Sequence, residues 1–146
     1  LVEGRKLILG GVEIPFARGL EGHSDADVLI HAIVDALLGS LALGDIGSHF
    51  SDQDPQYKNI DSRILLRKAY DLVNQQGYRL QNLDCTICAQ APKLRDYIPI
   101  MRNKLATDLA CQPSEISVKA TTEEGLGVSG GEEGIAAYCV AMVRKV

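Results

Sequence analysis

Residues 22–55 read GHSDADVLIHAIVDALLGSLALGDIGSHFSDQDP. Val28, Leu29, Ile30, Ile33, Val34, Ala36, Leu37, Leu38 and Leu41 predict a helix that is apolar on nearly every side. A helix of that kind is buried, either in a core or between subunits. Ser24 with Asp27 three residues on has the form of a capping box, so Ser24 is the expected N-cap, and Gly44 is the expected residue just past the end. Asp27, His31 and Asp35 recur every four residues and so share one face. Buried polar groups need partners. The loop that follows adds Asp45, Asp52 and Asp54, and all three histidines of the chain, His23, His31 and His49, lie in or beside this stretch. Acids and imidazoles at this density point to a metal or to phosphate and proton transfer.

On the N-terminal side, Leu7 to Ile14 is two short apolar runs around Gly10-Gly11, the pattern of a hairpin. On the C-terminal side, Asp61 or Ser62 opens an amphipathic helix ended by Gly77, with Leu65, Leu66, Ala69, Leu72 and Val73 at helical spacing. Leu80 to Ala89 alternates as a strand. Pro99 suits the first turn of a third helix running to about Ala110. Ile116 to Ala120 is a short strand, and Ile135 to Val143 is apolar on both faces, a strand expected to be covered on both sides. Interleaved strands and helices without repeats predict a single domain over 1–146, of α/β or α+β class, with a mixed sheet and helices on one face. The other face then needs cover, and a second subunit is the expected source.

Composition narrows the function. The 146 residues are 46% hydrophobic, enough for a core, and carry a net charge of −4. No basic run exists to bind nucleic acid. No unbroken apolar segment of about 18 residues exists to span a membrane. No secretory signal precedes the first motif. Cys85 and Cys88 form C-x-x-C in an alternating run, where residues three apart face opposite ways; with Cys111 and Cys139 they read as small buried hydrophobes in a reduced compartment. Gly125 to Gly130 matches G-x-G-x-x-G, but near the C-terminus and before a strand, which excludes a dinucleotide site.

Three segments carry chemistry. His31 is a candidate zinc ligand with Asp27 or Asp35 as orienting partners; it reads equally as a hydrogen-bonded core histidine. His23, His49, Asp45, Asp52 and Asp54 are the local candidates for further ligands, and spacing does not select among them. His23 lies just outside the helix N-terminus, an anion-binding position. In the second segment, Lys93 follows a strand beside backbone groups that could grip a nucleotide; the alternative is a solvated lysine. In the third, Thr121, Thr122, Glu123 and Glu124 offer hydroxyls for phosphate and carboxylates for Mg²⁺; the alternative is a solvated acidic turn.

Taken together, GGVEIP, GHSDADVLIHAIVDALLG, LGDIGSHFSDQDP, DSRILLRKA, AQAPKL, VKATTEEGLG and GEEGIAA resemble, in order and over essentially the whole chain, the 2-C-methyl-D-erythritol 2,4-cyclodiphosphate synthases of the non-mevalonate isoprenoid pathway. The resemblance implies a homotrimer with sheets facing the trimer axis and active sites between neighbours. It implies conversion of 4-diphosphocytidyl-2-C-methyl-D-erythritol 2-phosphate to the cyclic diphosphate and CMP, with Zn²⁺ and either Mg²⁺ or Mn²⁺. On the matching positions, His31 is a zinc ligand, and His23, Ser24, Thr122 and Glu124 carry catalysis, with Glu124 also holding Mg²⁺ or Mn²⁺. Asp45, Ile46, Gly47, Phe50, Ser51, Asp52, Gln53 and Asp54 contact the methylerythritol portion. Ala89, Gln90, Ala91, Pro92, Lys93 and Leu94 form the cytidine pocket, and Ala120, Thr121 and Thr122 touch the CMP side. The compartment implied is a bacterial cytoplasm or a plastid stroma.

The family's other two zinc ligands belong to a G-[YF]-D-x-H motif expected immediately before Leu1. Val128 and Gly131 stand where the family often has an aromatic residue and an arginine, so no regulatory ligand is expected on the trimer axis. Two rival readings accompany the synthase. One is a zinc phosphatase or nuclease using His23, His31 and the acidic loop, and the other is a trimeric nucleotide-binding module without catalysis.

Overall fold

The computed structural model describes residues 1–146. Four short strands open the chain: β1 (Val2–Glu3), β2 (Leu7–Leu9), β3 (Val12–Ile14) and β4 (Arg18–Gly19). Then come α1 (Val28–Ser40), the single-turn helix α2 (Ile46–His49) and α3 (Ser62–Gln75). The long strand β5 (Tyr78–Cys88), α4 (Ile98–Asp108), β6 (Ile116–Thr121), a one-turn α5 (Gly127–Gly130) and β7 (Ala136–Lys145) complete it. The main sheet has the order β6-β5-β7. β5 and β6 run parallel, with Cys88 opposite Thr121, and β5 and β7 run antiparallel, with Cys85 opposite Cys139. The sheet is therefore mixed, as expected.

The helices lie on one face. α1 packs on β7 and α3, α3 also meets β5, and α4 covers β6. Leu29, Ile30, Ile33, Val34, Leu37 and Leu38 of α1 are all 0% exposed, which makes this helix the centre of the core. Each side chain of that size stabilises by about 1.5–3 kcal/mol when fully buried. No helix is long and apolar enough to cross a membrane.

The start of α1 differs from expectation. Its N-cap is Asp27, whose side chain accepts from the Ile30 amide at 3.0 Å. Ser24 instead accepts from the Ala26 amide, and Ala26 has φ +59°, so the chain turns sharply before the helix begins. The helix also stops earlier, at Ser40, with Leu41 as C-cap; Ala42 takes the left-handed conformation expected of a terminating glycine.

Asp27 ties the helix to the hairpin. Its carboxylate also accepts from the Gly10 amide at 3.0 Å and the Gly11 amide at 2.7 Å. Both glycines have positive φ, as the β2–β3 turn demands, and a Cβ on Gly10 would sit 2.8 Å from Met101 Cγ. The two glycines thus give the turn its shape and bring their N–H groups close to the helix.

β7 is covered on one face by this chain, and the other is the face for which a second subunit is the expected cover. Ala137, Cys139, Ala141 and Val143 pack on the core, but the other side is bare: Tyr138, Val140 and Met142 are 62–75% exposed in the single chain. The four cysteines are free thiols; Cys85 and Cys88 are buried, while Cys111 and Cys139 are partly exposed.

Burial raises the Asp27 carboxyl from 3.8 to about 7, against the opposing pull of the three amides. At neutral pH that is a penalty of roughly 4 kcal/mol, which the apolar burial of α1 outweighs. A folded pKa above the unfolded one means that stability is highest at low pH and falls as pH rises from about 4 to about 7. The stability difference, wild type minus Asp27→Asn, should therefore shrink across that range in chemical denaturation. A pH-independent difference would contradict the assignment.

Candidate functional site

A cavity of about 520 Å³ opens in front of the N-terminal end of α1. His23, Ser24 and His31 line it together with Ile46, Gly47, Phe50 and Asp52. Tyr57 packs edge-on against Phe50 at 5.7 Å, and Leu20, Leu65 and Ile135 complete the apolar wall. The cavity thus gathers seven of the residues singled out from the sequence.

His31 is half-buried, and its Nε2 lies 3.2 Å from Ser24 Oγ and 3.1 Å from Ser62 Oγ. Ser62 Oγ donates to Asp25 Oδ1, and the Ser62 amide donates to Asp25 Oδ2 at 2.9 Å. With the Ser62 hydroxyl proton directed at Asp25, its oxygen is left to accept from His31 Nε2. Asp25 and Ser62 are therefore the groups that orient His31. Asp27 and Asp35, expected in that role, point elsewhere: Asp27 to the hairpin and Asp35 Oδ1 to the Ile46 amide at 2.7 Å, where it anchors α2. Burial lowers the His31 pKa, and the charges of Asp25 and Asp35 partly offset this.

His23 is held by its Nε2 on the Asp54 carbonyl at 2.9 Å. It does not face a vacant helix N-terminus, because the Asp27 carboxylate already occupies that end of α1. Asp45 is the N-cap of α2, in a reciprocal capping box with Ser48. Ser51, Gln53 and Asp54 belong to the same acidic turn without lining the cavity; hydrogen bonds from Gln56 hold the Asp54 carboxyl below the ordinary carboxylate range. His49 points away, with Nε2 on the Leu43 carbonyl at 2.7 Å.

Most of the remaining residues line a second cavity of about 640 Å³; Ala91 and Glu124 do not. Ala89, Gln90, Pro92, Lys93 and Leu94 come from the end of β5, and Ala120, Thr121 and Thr122 from the end of β6. They meet because the two strands are parallel neighbours that finish side by side, where α/β proteins commonly bind ligands. The Ala91-Pro92 bond is cis. Gln90 Oε1 accepts from the Gly125 amide at 3.1 Å, which links this loop to the turn carrying Glu124. Glu124 is exposed, with φ +54° and its amide donating to Thr122 Oγ1 at 3.3 Å.

No three His, Cys, Asp or Glu side chains converge on a common point. At His31 the neighbouring donors are two serine hydroxyls, so the residues present supply one strong zinc ligand and do not fit a three-ligand catalytic centre. Glu124 fits a different kind of ion: Mg²⁺ needs only one or two carboxylates when phosphates complete its shell.

The fold and its two cavities define an α/β protein with pockets of the size that small molecules occupy. The model of the YgbB family matches residues 1–144, and the chain belongs to that family. A relative from Geobacter metallireducens, named 2-C-methyl-D-erythritol 2,4-cyclodiphosphate synthase, is 62% identical over 145 residues, covering 99% of this chain and 92% of the relative. A relative of the same name from Carboxydothermus hydrogenoformans is 62% identical over 146 residues, covering 100% and 90%. Among solved structures, the bifunctional IspDF of Campylobacter jejuni superposes with a TM-score of 0.95 at 43% identity, over 99% of this chain and 39% of that one. IspF of Plasmodium falciparum, solved as a CDP complex, has a TM-score of 0.85 at 34% identity, over 98% and 86%.

Sequence reasoning missed Ser62 and Asp25 as partners of His31. Ser62 was visible only as a helix start, and its second role depends on where α3 docks. In metal-free protein the His31 titration followed by NMR should have a midpoint below 6.5, and Asp25→Asn should move it lower still, since the Asp25 charge raises it. A midpoint at or above 6.5 would contradict the burial argument.

Proposed function

We propose that the chain converts 4-diphosphocytidyl-2-C-methyl-D-erythritol 2-phosphate to 2-C-methyl-D-erythritol 2,4-cyclodiphosphate and CMP, as a phosphorus–oxygen lyase of the non-mevalonate isoprenoid pathway. The observation that carries this reading is the gathering of the expected residues into two groups by the fold, one around His23, Ser24 and His31 and one around Lys93 and Thr121. The relatives' shared name and the CDP bound to a structural neighbour support it.

In this reading the second cavity holds the CMP portion. Lys93 and the hydroxyls of Thr121 and Thr122 face the nucleotide phosphate, and the backbone of Ala89 to Leu94 surrounds the base. The first cavity holds the methylerythritol portion against Ile46, Gly47, Phe50 and Asp52. His23 and Ser24 orient the phosphate that is attacked. An oxygen of the 2-phosphate forms a bond to the β-phosphorus, and the bond from that phosphorus to the CMP oxygen breaks. The protein's work is alignment of the two phosphates and exclusion of competing water. Glu124 would hold Mg²⁺ or Mn²⁺, which supplies positive charge to the diphosphate oxygens. His31 is the residue of this chain that would face zinc.

The two cavities are lined by separate residues of one chain. A homotrimer in which the bare face of β7 turns toward the axis would cover Tyr138, Val140 and Met142 and set the first cavity of one copy against the second of its neighbour. The 146 residues then act as one domain of a composite site. The bacterial relatives support a cytoplasmic location.

Incubation with the diphosphocytidyl substrate, Zn²⁺ and Mg²⁺, followed by phosphorus NMR, should yield CMP and a cyclic diphosphate. His31→Ala should abolish turnover while CMP binding by calorimetry stays within about twofold, because metal and cytidine contacts lie in different cavities. Inorganic phosphate without a cyclic product would favour hydrolysis instead. Equal loss of turnover and CMP binding in a folded variant would make His31 a core residue.

A further inference from the structure

His23 and Ser24 sit on an irregular segment between β4 and α1, so something other than secondary structure must fix them. Arg5, in the turn between β1 and β2, reaches across to that segment. Its Nη1 donates to the Gly22 carbonyl at 2.8 Å and its Nη2 to the Ser24 carbonyl at 2.9 Å. The carbonyl between them, on His23, accepts from the Asn59 amide at 2.7 Å. Three successive carbonyls are thereby held from two sides. Beyond them the Asp25 amide donates to the Ile60 carbonyl at 3.0 Å, and the Asp25 side chain grips Ser62.

The base of Arg5 is equally constrained. A Cβ on Gly19 would lie 2.5 Å from the Arg5 carbonyl oxygen and 2.2 Å from that of Lys6. Only glycine permits this approach, so the strand leading into residues 20–25 lies directly against the backbone that carries Arg5. The guanidinium plane offers two donors in a rigid fork, which matches two carbonyls on one stretch of chain; an ammonium is a point donor on a flexible stem. Hydrogen bonds from a charged donor are stronger than those between neutral groups, and two of them on one short stretch favour one backbone conformation over others.

We propose that Arg5 is a positioning residue for the reaction: its guanidinium clamps the Gly22 and Ser24 carbonyls and so sets where His23 and Ser24 present their side chains to the first cavity. The proposal rests on the reading of His23 and Ser24 as phosphate contacts. Arg5 lines neither cavity. Its effect passes through the loop, and the price of losing it is misalignment rather than lost affinity.

The test uses the full chain with Arg5→Ala and Arg5→Lys. Arg5→Ala should lower kcat by about tenfold to a hundredfold with little change in KM, the loss expected from an ångström-scale misplacement. CMP affinity by calorimetry should stay within about twofold, since the second cavity is separate. Hydrogen exchange should quicken at the amides of residues 22–25 and remain unchanged in α1. Guanidinium ion at sub-denaturing concentration should restore part of the activity of Arg5→Ala and none of His23→Ala. Arg5→Lys should fall between wild type and Arg5→Ala. Wild-type kcat and wild-type exchange in Arg5→Ala would overturn the clamp. So would equal losses of CMP affinity and α1 protection, which would mark Arg5 as general scaffold. If the wild-type chain makes no cyclic product, the reading of the site fails, and exchange at residues 22–25 alone decides the clamp.

Discussion

A single buried carboxylate joins the two halves of the N-terminal region. Asp27 is 0% exposed and accepts three backbone N–H groups, two from the Gly10-Gly11 turn and one from the first turn of α1. Without that acceptor, the buried amide of Gly10 and the first turn of the helix would lose their partner, at about 1–3 kcal/mol for each unsatisfied group. The same contact fixes the direction in which α1 leaves the loop. The position of His31 on α1, and of Ser24 and Asp25 just before it, follows from that direction.

The site inherits its geometry from two different sources. The first cavity depends on loops pinned by side chains: Arg5 on residues 22 and 24, Asp25 on Ser62, and Asp35 on the start of α2. The second depends on regular structure, because parallel β5 and β6 end together and deliver Ala89 to Leu94 beside Ala120 to Thr122. In the proposed function the nucleotide belongs to the second cavity and the phosphates are aligned at the first, a division that suits a reaction governed by positioning. The bare apolar face of β7, with Val140 75% exposed, gives the single chain a physical reason to assemble.

Much of this was legible in the sequence. The all-round apolar pattern of residues 28–41 identified the buried helix, the Gly-Gly pair identified the hairpin, and the helix beginning at Ser62 was placed within a residue. The structure also brings local motifs together: seven of the residues named around the acidic loop line one cavity, and most of the AQAPKL segment lines another with Ala120, Thr121 and Thr122. What failed were inferences about partners distant in sequence. Ser24 looked like the N-cap because Ser-x-x-Asp is a common local pattern, but the positive φ of Ala26 hands that role to Asp27. Asp27 and Asp35 share a face with His31, yet contacts from the hairpin and from α2 claim them.

The central claim is that the two cavities are halves of one site contributed by neighbouring copies. The most direct measurement mixes two inactive variants, His31→Ala, damaged in the first cavity, and Lys93→Ala, damaged in the second, after dissociation and reassembly. If a site takes its first cavity from one copy and its second from the next, some mixed assemblies contain an intact pair, and turnover should reappear. If each site is built within one chain, every site carries a lesion. A mixture that co-assembles and stays inactive would contradict the account.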